Sequence, residues 1–187
     1  MKPGDKNPAR YGKKTFISAA LAALIASGAG VNAIYNQVLD EKEGERLVAY
    51  YDGKRIATIC GGLTRIYGRP VVITDKLTQA QCDELDGAEQ AKGLADMRKL
   101  LGAEIWDKLS PAAQAGLASW CAHNLGITKC ADSTAIREFR RGNRNEACAA
   151  ITLWIRDGGK DCRVRANGCF GQVERRQLED ELCLIQK

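Results

Sequence analysis

Glu43 and Asp52 lie nine residues apart in the stretch EGERLVAYYDGKRIATICGG, residues 43–62. A Glu on a helix with an apolar next turn (Leu47, Val48) gains proton affinity, because burial disfavours the charged form. An Asp at a Gly-containing turn (Asp52-Gly53) stays wet and ionised. Glycosidic bond hydrolysis uses such a divergent pair: one carboxyl protonated to act on the leaving oxygen, the other ionised. The same residues admit a plainer reading. Glu41, Glu43 and Glu45 then form a solvated helix face and Asp52 only makes the turn. The carboxylates alone do not decide between the two.

The elements that would hold these groups are mostly helical. Asp40 is placed to cap a helix through EKEGERLVAYY. The interval GKRIATICGGLTRIYGRPVVIT has β-branched runs broken by Gly and Pro, which predicts hairpins. Helices resume at Thr78, where Thr78 and Gln81 have capping-box spacing before QCDELDGAEQAKGLADMRKLL. Ser110-Pro111 supplies a cap and an N1 proline for AAQAGLASWCAHNLG, which ends at Gly126. Further starts are expected near Ser133, near Asn145 and at GQVERRQLEDELCL. The expected architecture is α+β: a small β lobe inserted near the start of an otherwise helical domain. Tyr50, Tyr51 and Trp154 are assigned to the core.

All eight Cys lie beyond residue 59, at positions 60, 82, 121, 130, 148, 162, 169 and 183, with no C-x-x-C and a single His, His123. Zinc needs clustered thiolates or imidazoles, so disulfides in an exported protein account better for these Cys. No metal or cofactor is expected. Loop closure favours near partners, giving Cys162 with Cys169 and Cys121 with Cys130. The expected remainder is Cys60 with Cys82 and Cys148 with Cys183.

Of 28 Lys/Arg and 23 Asp/Glu, residues 1–34 hold five and one, leaving 23 against 22 in residues 35–187. That balance lacks the basic stripe nucleic acid requires, so no nucleic-acid partner is expected. The positive excess sits in MKPGDKNPARYGKK, directly before the uncharged TFISAALAALIASGAGVNAI, residues 15–34. As one helix those 20 residues reach about 30 Å, enough to cross a bilayer core. Seven Ala and two Gly make membrane residence marginal. Three readings follow: a buried soluble helix, a signal peptide cleaved after Val31-Asn32-Ala33, or an uncleaved anchor with its N-terminus in the cytoplasm.

The larger pattern E-x8-D-x5-T, realised as Glu43, Asp52 and Thr58 and followed by I-C-G-G, resembles the phage-type lysozymes of glycoside hydrolase family 24. The resemblance continues through LTQAQCDEL, SPAAQAGLASWCAHNLG, DSTAIREFRRGN, EACAAITLWIRDGG and QVERRQLEDELCL, from about residue 40 to 184, with an apparent insertion around RVRANGC. It implies a lysozyme-like fold and a muramidase acting on peptidoglycan glycan strands as a monomer. It makes Glu43 the general acid, Asp52 the carboxylate opposite it and Thr58 the hydroxyl that positions the attacking water. It further implies a glycan-binding amide at Asn124 and an arginine, Arg175 or Arg176, paired with the catalytic Glu, with Arg175 preferred. Many relatives carry His where this chain has Leu63, so one local ion pair is not expected here.

With the weak apolar segment, the chain is similar to signal-anchor-release endolysins. That implies a basic cytoplasmic tail (1–14), an inner-membrane anchor (15–34) and a lysozyme domain (35–187). The tethered form is expected to be inactive and the released form to work in the periplasm. Two rivals use the same residues differently: a lytic transglycosylase, and a catalytically inactive, disulfide-stapled cell-wall-binding protein.

Overall fold

The computed structural model describes residues 15–43, 46–53 and 55–186, apart from the side chains of Lys42 and Glu43. The apolar N-terminal stretch forms two helices, not the single 20-residue helix expected. The first, α1 (Ala19–Ala26), is capped by Ser18, whose Oγ accepts the Leu21 N–H at 3.1 Å. It stops at Gly28, whose φ of 73° is a left-handed conformation that glycine adopts without steric penalty. The second, α2, runs over Val31–Glu43.

This break lets both helices turn their apolar residues inward. Leu21 and Ile34 are 0% and 1% exposed and share one core with Trp120 and Leu178. Full burial of a side chain such as Leu21 contributes about 1.5–3 kcal/mol. The segment's start is fastened to the body. Thr15 Oγ1 and the Phe16 N–H donate to the Glu181 carboxylate at 2.7 and 2.9 Å, and Ser18 Oγ donates to Glu41 Oε1 at 2.6 Å. The boundary expected between residues 34 and 35 falls inside α2. No helix among the described residues is long and apolar enough to cross a membrane.

The helix expected through EKEGERLVAYY is corrected. α2 ends at Glu43, and β1 (Arg46–Tyr51) follows, paired antiparallel with β2 (Ala57–Cys60) in the register Tyr50 to Thr58 and Tyr51 to Ala57. The sequence places Gly44, a poor helix former, at the change. Leu47, Val48, Tyr50 and Tyr51 suit a half-covered pleated surface. A second hairpin, β3 (Arg65–Ile66) with β4 (Arg69–Pro70), completes the lobe. Its small core comprises Ala49, Ile59, Cys60, Ile66, Val71 and Cys82. Tyr51 is 60% exposed, against the expectation that it is core.

The long helix α3 (Gln79–Leu101) starts at the expected capping box, with Gln81 N–H donating to Thr78 Oγ1 and Thr78 N–H to Gln81 Oε1. Cys82 near its start belongs to the small core, and Met97 and Leu101 near its end to the large one. Thus α3 joins the lobes, and the Cys60–Cys82 disulfide ties its first turn to β2.

The large lobe continues with α4 (Ala103–Trp106) and α5 (Pro111–Leu117), capped as expected by Ser110. The chain then widens into a π-helical segment, Ala118–Leu125, ended by Gly126. There follow α6 (Ile127–Cys130), α7 (Thr134–Arg140) capped by Ser133, and α8 (Arg144–Ile151). A short β5–β6 hairpin (Arg156–Asp157, Lys160–Asp161) leads to α9 (Gly171–Leu184). α9 lies close on α5: a Cβ added at Gly116 would stand 2.9 Å from the Leu182 Cβ. The other three disulfides, Cys121–Cys130, Cys148–Cys183 and Cys162–Cys169, also join the expected partners.

Candidate active site

The β1–β2 hairpin fixes Asp52 and Thr58. Asp52 is half-buried just after β1, and its Oδ1 accepts the Ile56 N–H at 2.7 Å. Thr58, 3% exposed on β2, donates from Oγ1 to the Ile56 carbonyl at 3.0 Å. One residue, Ile56, therefore anchors both groups, and neither can reorient without breaking a main-chain hydrogen bond. Glu43 is the last residue of α2, three positions before the hairpin begins. Its side chain lies outside the described residues, and with it the expected pairing to Arg175.

A cleft of about 910 Å³ opens between α2, α3, the Gly61–Arg65 turn and the end of the π-helical segment. From α2 it takes Tyr35, Asn36, Leu39 and Asp40. Asn36 and Asp40 precede Glu43 by seven and three positions, the spacing of one helical stripe, so Glu43 occupies the position that continues this wall. Asn124 lines the far side with His123. Asp52 and Thr58 are not among the residues lining the cleft. The wall carries Asp40, Asp83, Asp86, Glu89 and Asp96 against Arg65 and Lys92. Such a surface repels polyanions and admits polyols that offer hydroxyls to carboxylates.

The Gly61-Gly62-Leu63 turn is held without the histidine of many relatives. Ile59 and Leu63 exchange main-chain hydrogen bonds at 2.9 and 2.8 Å, and Asp86 Oδ2 accepts the Gly61 N–H at 3.1 Å. Behind the cleft lies a buried polar cluster. Arg175 and Arg176, 7% and 0% exposed, share Glu179, which is wholly buried. Arg175 Nε donates to Glu179 Oε1 at 3.3 Å, and Ser119 Oγ donates to the same oxygen at 2.8 Å. Arg176 Nη2 donates to Asn124 Oδ1 at 2.9 Å and to Glu179 Oε1 at 3.3 Å. Arg176 Nε is 3.0 Å from Glu179 Oε2 without the alignment of a hydrogen bond.

Burial lowers the Arg176 pKa and Glu179 raises it, but a guanidinium stays charged through such shifts. Burial also drives the Tyr35 hydroxyl well above the usual phenol range, with Arg175 opposing and Glu179 adding to the rise. Tyr35 thus stands beside the cluster as a neutral phenol.

Sequence reasoning singled out Asn124 and Arg175 but missed Ser119, Glu179 and Tyr35, and gave Asn36 and Asp40 no place in the cleft. One signal was present. Arg175 and Arg176 precede Glu179 by four and three residues, the spacing at which helix neighbours pair.

Comparisons with known proteins bear on the family and the fold. A family model described as phage lysozyme matches residues 40–179. The chain is 47% identical over 173 residues to a SAR-endolysin of Escherichia phage 933W, covering 92% of this chain and 93% of the relative. It is 44% identical over 173 residues to a probable prophage lysozyme of Escherichia coli strain K12, with the same coverage. Among solved structures, an endolysin from Escherichia coli O157:H7 phage FAHEc1 superposes with a TM-score of 0.67 at 30% identity, over 80% of this chain and 90% of that one.

Proposed function

The chain belongs to the phage lysozyme family, and from that premise we propose that it hydrolyses the β-1,4 bond between N-acetylmuramic acid and N-acetylglucosamine in peptidoglycan. Glu43 is the general acid, Asp52 the carboxylate opposite it, and Thr58 the hydroxyl that orients the attacking water. The observation that carries this reading is the shared anchoring of Asp52 and Thr58 on Ile56, in the hairpin that begins three positions after the end of the α2 wall. A fixed carboxylate and a fixed hydroxyl on one hairpin are what a positioned water needs. A water-mediated inverting displacement requires roughly 6.5–9.5 Å between the two carboxyl groups, and the family leaning is toward that outcome.

We also propose that residues 15–34 anchor the enzyme in the host inner membrane, N-terminus in, before release into the periplasm. Leu21 cannot occupy the core of the enzyme and a bilayer at once. While residues 15–34 span the membrane, the first turn of α2 is withheld from the helical lobe, and the Glu43 end of that helix lacks its support. Release then permits α1 and α2 to dock. The SAR-endolysin relatives bear this designation in their names.

The test is loss of turbidity of outer-membrane-permeabilised bacteria with the full oxidised chain, beside Glu43→Gln and Asp52→Asn. Clearing by the unaltered chain alone supports the reading. Full activity of Asp52→Asn moves the mechanism to transglycosylation, and absence of clearing by all three moves it to a wall-binding protein.

A further inference from the structure

We propose that Arg176 is a positioning residue that fixes the Asn124 amide with its NH2 group toward the cleft, so that the site reads the acetamido carbonyl oxygen of an N-acetylated sugar. The inference rests on the glycan reading above and deepens it.

A guanidinium offers only donors, so Asn124 can meet Arg176 Nη2 at 2.9 Å only through Oδ1. A flipped amide would set donor against donor at a wholly buried cation and cost Arg176 Nη2 the shorter of its two hydrogen bonds. The orientation of an Asn amide follows from its network, and here a charge-assisted bond decides it. Asn124 Nδ2 has no protein partner among the described residues, while Asn124 lines the cleft. A donor pair left open on a carbohydrate-sized wall suits an acceptor, and an acetamido carbonyl is the strongest neutral acceptor on these sugars. Glu179 is shared by Arg175, Arg176 and Ser119. That shared carboxylate holds Arg176 in place behind Asn124.

Asn124→Asp in the full oxidised chain separates this role from a structural one. The variant keeps an acceptor for Arg176 and adds a counter-charge, but turns oxygen instead of NH2 toward the cleft. KM on N-acetylated peptidoglycan is expected to rise about tenfold, the value of one hydrogen bond. The expectation for kcat is a change within about threefold, as for a contact made equally in ground and transition states. The thermal midpoint is expected to hold or rise. Arg176→Lys, which keeps charge but cannot hold Asn124 and Glu179 together, is expected to raise KM in the same direction. An active wild-type chain with unchanged KM in Asn124→Asp overturns this inference alone. A fall in kcat at unchanged KM also overturns it. A wild-type chain inactive on peptidoglycan overturns the glycan reading and this inference with it.

Discussion

Asp52 and Thr58 are bound to the two ends of one residue: the Ile56 N–H donates to Asp52 Oδ1 at 2.7 Å, and the Ile56 carbonyl accepts from Thr58 Oγ1 at 3.0 Å. The hairpin thereby fixes a carboxylate and a hydroxyl in a common frame, with Tyr50 and Thr58 in register across it. If Thr58 positions the attacking water, Thr58→Val should lower kcat by about 10²–10⁴-fold, the range for a positioned proton-transfer partner. Thermal stability should fall by only about 1 kcal/mol, one hydrogen bond's worth. Thr58→Ser should restore most activity. Steady-state kinetics with thermal melts check all three.

Leu21 is wholly buried in the core of the helical lobe, although its segment reads as a membrane anchor. Leu21→Ala should destabilise the released enzyme by about 2–5 kcal/mol, the cost of lost burial plus a cavity. A melt indifferent to this change would mean that α1 is not docked in the active enzyme. Glu181→Gln should loosen residues 15–17, because a neutral amide accepts the Phe16 and Thr15 donors less strongly. Hydrogen exchange at Phe16 and Ile17 reads that directly.

Gly28 and Gly30 separate α1 from α2. Replacing both with Leu strengthens the segment as a membrane helix and penalises the positive φ of Gly28 in the docked form. Membrane fractionation should show retained, inactive protein; continued release of active enzyme contradicts the anchoring account.

Gly116 brings α5 close against α9. A Cβ there meets the Leu182 Cβ at 2.9 Å and the Glu179 carbonyl at 3.1 Å, neither of which is the end of a flexible chain. Gly116→Ala should therefore cost about 1–3 kcal/mol despite the better helix propensity of Ala. A raised melting temperature would contradict the packing.

Arg69 grips Asp75 through two hydrogen bonds of 2.8 Å, and the Val72 N–H adds a third of 2.8 Å. The Arg69 bonds first, then that of Val72, lower the Asp75 pKa to about 2. A folded-state pKa below the unfolded value of about 3.9 gives stability that is present above that value and lost as pH falls through about 2. Asp75→Asn should flatten the acid limb of the stability profile between those limits and leave it unchanged in shape near neutrality. Melts across pH 2–5, a range of roughly that window, give the comparison.

Local signals were legible in the sequence. Thr78 with Gln81, Ser110-Pro111 and Ser133 all start helices where their chemistry placed them, because a cap is decided within four residues. Two disulfides, Cys162–Cys169 and Cys121–Cys130, followed from proximity along the chain, and the remaining four Cys paired as expected. The α+β class was legible for the same reason. The end of α2 was not, because Leu47 and Val48 satisfy a helical stripe and a strand equally until Arg46–Tyr51 finds β2. Tyr51 looked like core by its ring, yet a hairpin in a small lobe has too little cover for both of its faces. The fastening of Thr15 to Glu181 spans 166 positions and that of Arg176 to Asn124 spans 52. Such contacts exist only once tertiary packing has closed them, which is why Glu181 carries no mark in the sequence beyond its charge.

Product identity separates hydrolysis from transglycosylation. Peptidoglycan digested with the full oxidised chain, and with Asp52→Asn, can be resolved by mass spectrometry of the released sugars. Hydrolysis by Glu43 and Asp52 gives reducing-end products that have gained one water, absent with Asp52→Asn. Anhydro products that have gained no water, released equally by both proteins, would contradict it.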